Sequence, residues 1–111
     1  MSAFTPSGSG GVPITTTTEG LTSPTISNEV ITLANTEYTY PFPTDTKKFL
    51  IKLRDGLADL KMAYISGDSG LLYITIPRGN FYMEDEIQAS SLTLYFQATQ
   101  ASQILEIISW V

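Results

Sequence analysis

Leu92–Val111 reads LTLYFQATQASQILEIISWV, two strand-like runs separated by a polar turn. In the second run Ile104, Ile108 and Trp110 share one side, Leu105, Ile107 and Val111 the other, and only Glu106 and Ser109 interrupt. A strand apolar on both sides needs cover on both, which places it inside a sheet rather than at an edge. Trp110 is accordingly expected to be a core anchor.

Working back from this pair, Leu60–Ser66 and Leu71–Pro77 flank Gly67-Asp68-Ser69-Gly70 and read as a hairpin. Phe81–Ile87 is a further strand. Lys47–Arg54 is the cleanest alternation, with Phe49, Ile51 and Leu53 set against Lys48, Leu50, Lys52 and Arg54. That pattern makes one buried and one mostly wet face. In Glu37–Phe42, Tyr38, Tyr40 and Phe42 share a side, while Pro41 and the following Pro43 bar a central position. Glu29–Leu33 is a short strand. Helical periodicity is weak throughout. The expected fold is all-β: an antiparallel β-sandwich of about eight short strands, in the manner of a jelly roll, with an extended N-terminal arm.

The domain organisation follows from composition. Residues 1–28 are dominated by Gly, Ser, Thr and Pro, hold no Lys or Arg, and carry one acid, Glu19. Such a segment cannot bury enough apolar surface to fold alone. Its spaced apolar residues Phe4, Val12, Ile14, Leu21 and Ile26 suit an arm laid across a partner, and they are the expected partner-binding positions. Residues 29–111 form the sandwich. A core of roughly 80 residues without cysteine has no disulfide staple, and such small cores often gain stability by oligomerising.

Charge narrows the partners. The net charge of −5 disfavours a phosphate grip on nucleic acid, and no apolar run reaches the length of a membrane span. The N-terminus has neither the basic nor the apolar region of a secretory signal. Lys47, Lys48, Lys52 and Arg54 are four of the six basic residues, a stripe that reads either as a solvated strand face or as a docking face for an acidic partner.

Catalysis finds no support. Without His or Cys there is no Ser-His-Asp triad, thiol nucleophile or usual zinc site. Gly8-Ser9-Gly10-Gly11 lacks the preceding strand and the lysine of a phosphate loop. Glu84-Asp85-Glu86 is the one acidic cluster; alternation would put Glu84 and Glu86 on one face and Asp85 on the other. It matches no calcium loop and has no facing carboxylate element. No catalytic, cofactor or metal role is assigned to any residue.

From Asn35 to Val111 the chain resembles small β-sandwich virion proteins of tailed bacteriophages. The resemblance rests on Asn35-Thr36-Glu37-Tyr38, on Lys47-Lys48-Phe49 leading to Arg54, and on Tyr73-Ile74-Thr75-Ile76-Pro77 followed by Gly79 and Tyr82. Leu92-Thr93-Leu94-Tyr95-Phe96-Gln97 and Leu105-Glu106-Ile107-Ile108-Ser109-Trp110 complete it. It implies a virion protein made in the host cytoplasm: a capsid decoration (cement) protein bound to the major capsid protein or other virion proteins as a homo-oligomer, dimer or trimer. A neck or tail accessory protein and a carbohydrate- or host-surface-binding module are the alternatives. The resemblance assigns Arg54 no binding role and leaves out the Thr- and Gly-rich arm.

Overall fold

A computed structural model describes residues 23–111, together with the backbone of Pro6–Ser7 (β1) and Gly10–Gly11 (β2), which pair antiparallel. The sandwich strands are β3 (Thr25–Ile31), β4 (Tyr38–Pro41), β5 (Lys48–Leu53), β6 (Leu60–Ala63), β7 (Ile74–Ile76), β8 (Phe81–Glu84), β9 (Thr93–Ala98) and β10 (Gln103–Trp110). They form two four-stranded antiparallel sheets, β3-β10-β5-β8 and β4-β9-β6-β7. Apart from the β6–β7 hairpin, each connection carries the chain from one sheet to the other. The pairs nest: β6 with β7, β5 with β8, β4 with β9 and β3 with β10. The chain is thus one long antiparallel ribbon, closed at the β6–β7 link and rolled so that successive strand pairs alternate between the two sheets. This is jelly-roll connectivity.

Alternation builds the core, in β5 as expected. Phe49, Ile51 and Leu53 of β5, Leu60 and Met62 of β6, Leu94, Phe96 and Ala98 of β9, and Leu105 and Ile107 of β10 all turn inward and are buried. Aromatic rings run in a chain through the core, Tyr40 edge-on to Phe42 at 5.1 Å between centroids, Phe42 stacked on Phe49 at 4.5 Å and Phe49 tilted against Tyr82 at 6.1 Å.

Several expectations are corrected. The sandwich begins at Thr25, so the boundary drawn at residue 28 falls inside β3. The second strand of the 92–111 stretch is central, as expected; the first is central too but lies in the opposite sheet, and their turn is a crossing between layers. Trp110 is only half buried, on the outward side of β10 with Ile104 and Ile108, so it is not a core anchor. The β6–β7 link is longer than a tight turn. It contains a 3-10 turn at Asp68–Gly70 and folds back over the outside of its own sheet.

Side chains pin that link. The Glu37 carboxylate accepts hydrogen bonds from the Gly67 amide at 2.9 Å, the Ser69 amide at 3.1 Å and the Ser69 hydroxyl at 2.5 Å. Gln97 Nε2 donates to the same hydroxyl at 3.0 Å. Burial opposes ionisation of Glu37, but these hydrogen bonds outweigh it and hold the carboxyl below its usual range. A glycine fixes another close approach: Gly56 has φ +62°, and a Cβ there would lie 3.2 Å from the Gly79 Cα.

Candidate docking face

Residues directly opposite one another in an antiparallel pair share a face. Ile108 of β10 stands opposite both Ile26 of β3 and Leu50 of β5, and Leu50 stands opposite Met83 of β8. One apolar row therefore crosses all four strands on the outward side of the sheet. The next row holds Asn28, Glu106, Lys52 and Phe81, and beyond it Val30 stands opposite Ile104. Ile26 is 70% exposed and Phe81 61%. A shallow groove of about 270 Å3 lies between the two rows, lined by Ile26, Leu50 and Ile108 on one side and Asn28, Lys52 and Glu106 on the other. Single exposed apolar residues are ordinary, whereas a contiguous set marks a contact surface.

The basic residues are distributed differently from a free stripe. Lys48, Lys52 and Arg54 do share the outward face, as alternation requires. Lys52 Nζ lies 3.4 Å from one Glu106 oxygen, and Arg54 Nε donates to the other at 2.8 Å. The hydrogen bond from Arg54, then that from Lys52, holds the Glu106 carboxyl below its usual range. Lys48 Nζ sits 5.2 Å from the centre of the Trp110 ring. Lys47 precedes β5; its amide donates to the Trp110 carbonyl at 2.7 Å, and its carbonyl accepts from Ile87 N at 2.9 Å. The stripe is therefore an apolar face edged by cations already engaged on their own sheet. Exposed ion pairs of this kind contribute little stability.

Of the expected arm residues, Phe4, Val12, Ile14 and Leu21 lie outside the described residues. Ile26 belongs to β3 and to the apolar row, so the structure joins one arm residue to the basic face. From sequence, Leu50, Met83, Ile104 and Ile108 are not assigned to a docking face. For β10 the signal is present: apart from Glu106 its outward positions, Ile104, Ile108 and Trp110, are apolar, which reads as double burial when the strand is taken alone.

The acidic cluster is engaged locally. Glu84 accepts the Tyr82 hydroxyl, and Asp85 Oδ1 accepts the Glu86 amide at 2.7 Å. The expected alternation stops at Glu84, where β8 ends, and Glu86 has φ +56°. Burial first, then Tyr82, raises the Tyr64 hydroxyl well above its ordinary range. No group of three or more acidic side chains able to hold a metal ion occurs among the described residues.

No protein-family model matches the chain, and no curated protein matches it. Among solved structures, a de novo designed double-stranded β-helix determined by solution NMR is similar, with a TM-score of 0.50 and 13% identity. The match covers 81% of this chain and 100% of the designed one. At that identity the likeness is one of fold, and fold alone carries no function.

Proposed function

We propose that this chain is a non-catalytic structural protein of a virion, a capsid decoration protein whose jelly-roll head docks through the outward face of the β3-β10-β5-β8 sheet. The observation that carries this reading is the apolar row Ile26–Ile108–Leu50–Met83, which crosses a whole sheet on the side turned away from the core. The sequence resemblance to phage virion proteins supports the setting. Residues 1–22 precede β3 in the chain, and β3 is an edge strand of this sheet, so arm and face would grip one partner together. Many identical copies on a shell make modest single contacts effective.

A carbohydrate-binding role has one feature to favour it, a second groove of about 250 Å3 beside Tyr64 and Tyr73. The other lining residues are Met62, Ala63, Leu72 and Ile74, so no carboxylate or side-chain amide lines it, and Lys61 beside it is held over the Tyr73 ring at 4.9 Å. Sugar recognition needs such groups, and the docking reading is preferred.

The test is binding of the purified protein to particles stripped of accessory proteins, with electron microscopy to place the added density. Density on capsomers is expected, together with at least a tenfold loss of affinity for Ile108→Glu, about 1.4 kcal/mol or more. Salt should change binding only modestly, because the cations of the face are already paired. Density at the neck or tail would move the protein to the accessory class. Full affinity in Ile108→Glu would remove the face from the interface.

A further inference from the structure

We infer that Met83 is an oxidation site, and that a peroxide converting its thioether to the sulfoxide releases the docking face from its partner. The release rests on the docking reading above; the oxidation rests on the chemistry of this chain alone. The sequence has no cysteine and three methionines, Met1, Met62 and Met83. With no thiol to consume the oxidant first, the thioethers are its softest targets. Two of them lie among the described residues, and the fold treats them oppositely. Met62 of β6 turns inward, opposite Phe96, and is 1% exposed; Met83 of β8 turns outward and is 47% exposed.

Register keeps Met83 there. Tyr82 and Glu84 stand opposite Ile51 and Phe49 on the inner side of the sheet, so alternation turns the residue between them outward. It ends the apolar row Ile26–Ile108–Leu50–Met83, directly opposite Leu50 and on the same side of β8 as exposed Phe81. Because β8 is an edge strand, no further strand of the sheet flanks the thioether on its far side.

The step is a two-electron oxygen transfer. A sulfur lone pair attacks one oxygen of hydrogen peroxide, an S–O bond forms and the O–O bond breaks. The departing hydroxide takes the proton from the transferred oxygen and leaves as water, so sulfur is oxidised and the peroxide reduced. The product carries a strong hydrogen-bond acceptor where the row held only carbon and sulfur. Leu50 opposite has no donor for it, and Lys52, diagonal to it in the next row, is already engaged with Glu106. A partner closing over the row must therefore bury the sulfoxide oxygen unpaired, a penalty felt in the bound state alone. The main-chain pairing of β8 with β5 is untouched, so the head stays folded and only docking changes. Methionine sulfoxide can be reduced again, which makes the release reversible.

Limited treatment of the full chain with hydrogen peroxide, followed by peptide mapping in a mass spectrometer, tests the site. Met83 should gain oxygen at least about tenfold faster than Met62, and unfolding in urea should abolish the difference. Protein oxidised at Met83 should keep its circular dichroism spectrum and bind stripped particles at least about fivefold more weakly. Methionine sulfoxide reductases should restore the affinity. Met83→Leu removes the sulfur, so peroxide should leave the affinity of that variant within about twofold of its own untreated value. Equal rates at Met62 and Met83 overturn the inference. So does unfolding of the oxidised protein, or a peroxide-induced loss of binding that persists in Met83→Leu. Full affinity of the oxidised protein overturns it as well. If Ile108→Glu still weakens binding in that case, the docking face stands and only the oxidation switch falls; full affinity in both removes the face itself.

Discussion

Ser109 is 2% exposed on the inward side of β10, and its hydroxyl has no protein hydrogen-bond partner. An unpaired buried hydroxyl costs about 1–3 kcal/mol, so Ser109→Ala should raise stability by about 1 kcal/mol in a urea titration. A loss of stability would show that the hydroxyl is bonded after all. Its neighbour Trp110 points the other way. Trp110→Ala should cost only about 1 kcal/mol, against about 3–5 kcal/mol for Phe49→Ala in the closed core. Gly56→Ala should cost about 1–3 kcal/mol, since its positive φ and the nearby Gly79 leave a side chain no relaxed position. Much of this was legible. Period-two alternation placed Phe49, Ile51 and Leu53 on a buried face and put Leu105 and Ile107 together on one side of β10. It could not say whether Ile104, Ile108 and Trp110 meet a second layer of this chain or something else, because periodicity reports sides and not what covers them.

At the scale of elements, the first strand shows where composition misleads. Thr25-Ile26-Ser27-Asn28 looks like the tail before it, yet it pairs with Glu106–Ser109. A chain beginning at residue 23 should keep the full stability of the sandwich, whereas one beginning at Glu29 loses half of β3. Its Tm should fall by at least about 5 °C in a calorimetric scan. The β6–β7 link has its own pH dependence. Glu37 has a lowered folded pKa, so its contribution is complete above the unfolded value, about 4.3–4.5, and is lost as pH falls through the folded one. The amide resonances of Gly67 and Ser69 should therefore shift together with a midpoint below 4.5, and Glu37→Gln should abolish that step. The hairpin around this link was readable from Gly67 and Gly70. The clamp from Glu37 was not, because it joins residues thirty positions apart in an otherwise unremarkable loop.

For the molecule as a whole, eight strands in two layers could be read from turn spacing, but the pairing could not. The polar turn between β9 and β10 looks like a hairpin, and only the finished register shows that it crosses between sheets. That nested register sets an order of events. β6 and β7 are near neighbours in sequence and can pair early, whereas β3 must find β10 at the far end of the described chain. Distant pairings are slow to form, so folding should take milliseconds to seconds. Substitutions in β6 or β7 should slow folding, while those in β3 should chiefly speed unfolding. On a ribosome, β3 emerges before the other sandwich strands and waits for β10 to be made. Through that interval Ile26 and Val30 belong to an unpaired strand, and nascent chains crowded on one message could capture one another there. Slower translation or dilute expression should therefore improve the yield of correctly closed protein.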